Sequence, residues 1–308
     1  MQKFFEKYKI SSDDKIVVAC SGGADSMYLL SEIIKFHPKK SILVGHFNHN
    51  LRWDESDADS LFVEDFCRGQ DLRFLLWSAE IKRFAKENKL WIEEAARIKR
   101  YGFLEDTRAD NWAGFIFTAH HLDDSIETFM FNLIRWTKIG WLTWIDERNW
   151  FILRPLLHIT KKEILKKCEA EGIPYRNDSS NVDDTFLRNH IRLNILPQFE
   201  TINPNYKKNF DDLIEYFKEL ESNIEGDISK IIMDNSFEIK AFDNLSLFKQ
   251  KELIAYIFKI TNSWTIGLTK WNIDEVIRFI NDKWNHTKKD IKAMHLFKKN
   301  GKIFLINP

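Results

Sequence analysis

The chain has 308 residues, 44% apolar and 30% charged, a soluble globular composition with core material for two domains and room for a small third. Lys plus Arg and Asp plus Glu balance at 46 each, so overall charge marks no partner, and nucleic-acid contacts must come from local basic patches. Cys20, Cys67 and Cys168 form no CxxC, which argues against a disulfide framework or a metal or cluster site of cysteines from this chain alone; no signal-peptide core or membrane-length apolar run is present, so the cytoplasm is expected.

Taken in chain order, the first half alternates short apolar runs with longer amphipathic stretches. Ile16 to Cys20 reads as a strand and Ala24 to Phe36 as a helix. Ser41 to Phe47 is the next strand, with a helix from about Asp54 to Gly69. Arg73 to Ser78 is a third strand, followed by helical spacing from about Trp91 to Asp110. Gly114 to Ala119 is a fourth strand, and Asp123 to Thr137 another helix. Strand–helix alternation of this kind predicts an α/β fold, a doubly wound and mainly parallel sheet with helices on both faces. The pattern changes after Pro197, and Ile202-Asn203-Pro204-Asn205 reads as a linker. Helical spacing returns at Tyr206 to Asn223 and Leu245 to Ile260. The chain closes with Ala293 to Lys299 and Lys302 to Ile306 flanking Asn300-Gly301, a hairpin signal. Two domains are expected, residues 1–200 and a smaller, mainly helical one at 205–308 ending in a β-hairpin. The 11 Trp and 25 Phe are read mainly as bulky core residues rather than as stacking platforms for bases.

Ser21-Gly22-Gly23-Ala24-Asp25-Ser26 joins the first strand directly to its helix. Two adjacent glycines let the backbone approach an anion closely. The helix N-terminus then offers unpaired N–H groups and partial positive charge. Ser21 and Ser26 add hydroxyls. Asp25 would repel phosphate, so its presence points to a Mg²⁺ ligand beside a nucleotide. A plain strand-to-helix turn with Ser26 or Asp25 as cap is the structural alternative. The position after the first strand, where open α/β sheets bind ligands, favours the phosphate loop. It is neither a Walker A loop nor GxGxxG.

Those six residues match the SGGxDS signature of the PP-loop ATP pyrophosphatases, and further blocks follow in order. They are His46-Phe47-Asn48-His49-Asn50-Leu51-Arg52, Glu94-Ala95-Ala96-Arg97 with Arg100-Tyr101, and Thr118-Ala119-His120-His121-Leu122-Asp123-Asp124 with Glu127-Thr128. Arg154-Pro155-Leu156-Leu157 comes next, then Asp178-Ser179-Ser180-Asn181 with Phe186, Arg188-Asn189 and Ile191-Arg192. Together, over roughly residues 15 to 200, the blocks resemble the tRNA(Ile)-lysidine synthetase family, whose catalytic domain is PP-loop and Rossmann-like.

The resemblance implies adenylation of C2 of the wobble cytidine in tRNA(Ile) with a CAU anticodon, followed by displacement of AMP by the ε-amine of free L-lysine. The product pairs with AUA rather than AUG. ATP and Mg²⁺ are the implied cofactors, with Ser21 to Ser26 as the ATP cradle and Asp25 as metal ligand. The lysine amine arrives protonated, with a reference pKa of about 10.4. It needs carboxylates and a route for its proton. Asp123 and Asp124 are expected to handle Mg²⁺ or the ammonium, with Glu127 one turn on; acids capping a helix N-terminus are the bland alternative. Arg97 is expected to offset charge on the α-phosphate, against a reading as a surface ion pair with Glu93 or Glu94. His46, Asn48, His121, Glu127, Arg188 and Arg192 are expected to contact lysine or tRNA. The basic helix His158 to Lys167, with Lys207 and Lys208, extends the phosphate-contacting face or is simply solvated. His46, His49, His120 and His121 could alternatively form a zinc site.

The match departs at Arg135-Trp136-Thr137-Lys138-Ile139-Gly140-Trp141-Leu142-Thr143-Trp144, where the family usually has an Arg-Gly-rich stretch. Residues from about 205 onward are expected to help grip the tRNA, and a homodimer stays open. Competing readings are a tRNA thiolase using the same loop, a small-molecule amidotransferase or synthetase, and an inactive RNA-binding descendant. Isolated cysteines, the lack of a glutaminase segment, and the presence of Asp25, Arg97, Asp123 and Asp124 weigh against these in turn.

Overall fold

The computed structural model describes residues 1–48, 53–134, 145–176, 187–261, 268–292 and 294–306. The blocks at His49–Arg52, at Arg135–Trp144 and at Asp178–Phe186 therefore lie outside the described residues. The described chain divides into two compact units, one running to Asp211 and the other from Asp212 onward.

The first unit holds α1 (Gln2–Lys7), β1 (Ile16–Ala19), α2 (Ala24–Phe36), β2 (Ile42–Asn48), α3 (Trp53–Gly69), β3 (Arg73–Ser78), α4 (Ile81–Asn88), α5 (Ile92–Asp110), β4 (Phe115–Phe117) and α6 (Leu122–Ile134). It continues with β5 (Arg148–Asn149), β6 (Ile152–Leu153), α7 (Lys161–Glu171), α8 (Leu187–His190), a π turn at Ile191–Ile195, α9 (Leu196–Ile202) and the start of α10 (Tyr206–Ser229). Six strands pair in the order β3-β2-β1-β4-β6-β5. All neighbours are parallel except β5 with β6.

Burial explains this arrangement. Ile16, Val17 and Val18 are each 0% exposed. So continuous an apolar run belongs in a parallel strand covered on both faces. On one face Met27, Leu30 and Ile33 of α2 pack with Ile16 and Val18. On the other, Leu104 of α5 packs with Val17 and Leu43. The expected α/β sheet is thus present, and α1, α4, the short β5–β6 hairpin, α8 and α9 are added to the elements read from sequence.

β1 sits between β2 and β4, so the connections diverge there and the carboxyl ends of β1 and β4 border a crevice. Gly22, at the carboxyl end of β1, has φ +89°, and a Cβ built there would lie 3.2 Å from Val63 Cγ2. Gly22→Ala is expected to destabilise the first unit by about 1–2 kcal/mol through left-handed strain. It should also weaken nucleotide binding, as read by a paired melting curve and an ATP titration.

The second unit comprises the rest of α10, β7 (Ser236–Glu238), α11 (Ile239–Asp243), α12 (Leu247–Thr261), α13 (Lys270–Asn281), β8 (Thr287–Ile291), β9 (Met294–Lys299) and β10 (Lys302–Leu305). The hairpin turns at Asn300-Gly301, both with positive φ. It does not stand alone, however. It is the centre of a four-stranded antiparallel sheet ordered β7-β10-β9-β8. Short flanking strands such as Ser236–Glu238 are too brief to show a period-two signal. Ile254, Phe258, Val276, Ile280, Met294 and Ile303 join helices and sheet in one core.

Candidate active site at the phosphate loop

Three segments build the site at the carboxyl ends of β1 and β4. The loop after β1 is tightened by Ser26, whose Oγ accepts the Ser21 N–H at 3.1 Å and donates to the Gly23 carbonyl at 2.9 Å. Gly23 is the N-cap of α2, with no side-chain cap, so the first turn keeps N–H groups available to an anion. The Arg176 N–H holds the Gly22 carbonyl at 3.0 Å. The Arg176 side chain reaches Asp59 of α3.

The second segment follows β4. Asp124 accepts the His121 N–H at 3.0 Å, fixing the entry to α6. The third is the N-terminus of α7, set by a reciprocal capping box. There Thr160 Oγ1 accepts the Glu163 N–H at 3.2 Å, and Glu163 accepts the Thr160 N–H at 2.8 Å. This cap places Lys161 at the first helical position. Its backbone N–H donates to Asp123 at 2.9 Å, and its ammonium grips both Asp25 oxygens at 2.7 and 2.8 Å.

The three aspartates expected from sequence therefore meet around His121. Its Nε2 lies 3.6 Å from Asp25 and 3.6 Å from Asp124, and its Nδ1 lies 3.8 Å from Asp123. Lys207, on the first turn of α10, brings a second ammonium to the site and pairs it with Asp123. Sequence reading put Lys161 and Lys207 on a basic face, either phosphate-contacting or simply solvated. Their contacts with Asp25 and Asp123 are long-range and have no local signature.

The charge states follow from these contacts. Burial raises the Asp25 pKa, but the His121 and Lys161 contacts outweigh it and hold it below the ordinary carboxylate value. Asp123 behaves alike, burial being overcome by Lys207 and the Lys161 N–H. Burial lowers the His121 pKa, yet its contact with Asp25 and the charges of Asp124 and Asp123 raise it above the ordinary imidazole value. A raised histidine pKa contributes stability that is complete below the unfolded value near 6.5 and fades as pH rises through the folded value. The wild-type advantage over His121→Asn in urea should therefore shrink as pH rises from 6 to 8.5. An advantage constant across that range would contradict the assigned surroundings of His121.

The remaining expected residues divide into two sets. Glu127, 2% exposed, forms a bidentate pair with Arg192, and Arg188 donates to Thr128 at 3.0 Å. Burial raises the Glu127 pKa despite Arg192. Arg97 lies on the exposed side of α5 with its guanidinium 5.0 Å from the Tyr101 ring centroid. Of the ion pairs weighed from sequence, one with Glu94 is not among the contacts of the described residues, and the Glu93 side chain lies outside them.

The other set is more deeply placed. His46 is 3% exposed and donates Nδ1–H to the Cys20 carbonyl at 2.9 Å. Asn48 donates to Asp57 at 2.9 Å. His46, His120 and His121 thus have separate environments, and among the described residues they do not gather as zinc ligands would.

Comparison with known proteins identifies the family. The family described as a PP-loop domain matches residues 1–199. The chain is 35% identical over 246 residues to the bifunctional protein TilS/HprT of Listeria innocua, covering 76% of this chain and 38% of that protein. It is 41% identical over 195 residues to the tRNA(Ile)-lysidine synthase of Bacteroides thetaiotaomicron, covering 63% of this chain and 45% of the relative. Against the tRNA(Ile)-lysidine synthase of Caldanaerobacter subterraneus it is 31% identical over 298 residues, covering 93% and 64%. The chain thus spans less than two thirds of the length of each of these relatives. Among solved structures, the U34-tRNA thiolase NcsA of Methanococcus maripaludis aligns with TM-score 0.57 and 18% identity, covering 71% of this chain and 76% of that one. At that identity the likeness concerns the fold.

Proposed function

The chain belongs to the PP-loop domain family, and from that premise we propose that it adenylates the wobble cytidine of tRNA(Ile) with a CAU anticodon and joins free lysine to it. One observation supports this reading most directly. Beside the phosphate loop, two carboxylates already hold alkylammonium groups, Asp25 that of Lys161 and Asp123 that of Lys207.

The cytidine C2 oxygen attacks the α-phosphorus of ATP and pyrophosphate leaves. The lysine ε-amine then bonds to C2, and AMP departs with the oxygen. The loop of Ser21 to Ser26 holds the triphosphate through backbone N–H groups and hydroxyls. Asp123 and Asp124 receive the incoming ammonium. His121 stands between them and, in its neutral form, can accept its proton. Arg97 offsets charge developing on the phosphoryl group, and Arg188 and Arg192 face the RNA.

Mg²⁺ fits the donors present. It takes oxygen ligands and commonly binds through one or two carboxylates together with substrate phosphates. Asp25 and Asp124 offer such oxygens, each 3.6 Å from the same imidazole nitrogen. The ion would neutralise part of the triphosphate charge when bound.

The thiolase reading gains nothing from the cysteines. Cys20, Cys67 and Cys168 are all buried. Burial pushes the Cys20 thiol up to about 11 and the Cys67 thiol to about 12, away from nucleophilic thiolate. The two half-reactions can be tested separately. With ATP, Mg²⁺ and the tRNA but no lysine, pyrophosphate should form; adding lysine should release AMP. AMP release indifferent to lysine would overturn the choice of nucleophile.

A further inference from the structure

His120 and His121 are consecutive yet stand in opposite electrostatic surroundings. Carboxylates surround His121, as described above. Around His120 the charges are guanidiniums. Burial and then Arg154, Arg100 and Arg97 push its pKa well below the ordinary imidazole value. Tyr101 reports the same field, since burial raises its phenol but Arg97, Arg100 and Arg154 outweigh that and lower it. The crevice at the sheet edge therefore has an acidic pole and a basic pole, divided between two adjacent residues.

The basic pole contains donors that the chain leaves unused. Arg154 is 4% exposed and follows β6, the neighbour of β4. One of its terminal nitrogens donates to the Asp146 carbonyl at 2.5 Å, but its buried Nε has no acceptor among the described residues. The Tyr101 hydroxyl is buried as well; Arg154, whose hydrogen bonding to it helps lower its pKa, can only donate, so the O–H has no acceptor among the described residues. Arg97, over the Tyr101 ring, has no carboxylate partner among the described residues. Folded proteins satisfy nearly all buried polar groups, so two orphans beside clustered positive charge point to an acceptor supplied by a ligand. A guanidinium fork matches the paired oxygens of carboxylate and phosphate.

We propose that Arg97, Tyr101 and Arg154 form an oxyanion subsite, separate from the phosphate loop, that takes an anionic group of one of the two small substrates. That group is either the phosphoryl of the adenylate or the carboxylate of the incoming amino acid. The substrate identities rest on the function proposed above; the subsite itself rests on the donors.

The test is calorimetric binding of AMP, lysine and cadaverine, which is lysine without its carboxylate, to the full chain and to folded Arg154→Met and Tyr101→Phe. A melting curve of each variant confirms folding, and Tyr101→Phe removes only a hydroxyl. Loss of a charged hydrogen bond should weaken the anion about tenfold or more in Arg154→Met, with a smaller loss in Tyr101→Phe. Weaker AMP with an unchanged lysine-to-cadaverine ratio assigns the phosphoryl group. A collapsed lysine-to-cadaverine ratio with unchanged AMP assigns the carboxylate. Wild-type affinity for all three ligands in both folded variants would overturn the subsite. AMP binding needs neither tRNA nor turnover, so this arm still reads the subsite if lysine proves not to be the nucleophile.

Discussion

Asp25→Ala is expected to lower ATP-dependent turnover by about a hundredfold to a thousandfold, the range seen when a fixed electrostatic group is removed from a reacting centre. Asp25 sits on the first turn of α2 and binds the Lys161 ammonium through both oxygens. Its removal takes away the carboxylate proposed for the metal and releases Lys161 from its position. The thermal effect should be much smaller than the kinetic one. Lys161 is 38% exposed and can turn to water, and His121 can lose its proton instead of remaining a buried cation. A variant that melts near the wild-type temperature yet retains most of its turnover would remove Asp25 from the chemistry.

Glu127→Ala should show the reverse profile, with stability the first casualty. The carboxylate is 2% exposed and holds Arg192 through two hydrogen bonds. Deleting one partner of a buried pair leaves the other charge uncompensated and costs about 3–5 kcal/mol. The Arg192 side chain is 37% exposed, so a cost below that range is expected, about 2–3 kcal/mol. Chemical denaturation of Glu127→Ala beside the double variant Glu127→Ala/Arg192→Met provides the check. Partial recovery in the double variant is expected, because the stranded charge is gone. A single variant as stable as wild type would mean that the pair does not hold α6 to the Ile191–Ile195 turn.

How much of this was legible in the sequence depends on the range of the interactions involved. The phosphate loop was readable because its chemistry is local: adjacent glycines, a small hydroxyl and a helix N-terminus within six residues. The parallel core was readable because Ile16 to Val18 is apolar without alternation, a pattern set by burial on both faces. Asp123 and Asp124 were readable as acids at the sheet edge. The partners of Asp123 were not, since Lys161 and Lys207 reach it across 38 and 84 positions of chain. Arg154 stood within a quoted motif without a role, because its unmet nitrogen is a property of packing. Likewise β7 and β8 escaped notice, being a strand of three residues and an exposed, Lys-rich one that the hairpin completes.

The central claim is that lysine becomes covalently joined to the wobble cytidine of tRNA(Ile). The full chain would be incubated with ATP, Mg²⁺, labelled lysine and a tRNA(Ile) transcript bearing CAU, and the label followed into the tRNA. Label should enter only with ATP present, should be recovered in the wobble nucleoside after digestion, and should fall to background in Asp25→Ala. Pyrophosphate release that depends on the tRNA, with no lysine in the nucleoside, would contradict the claim and leave a PP-loop enzyme that adenylates RNA for a different nucleophile.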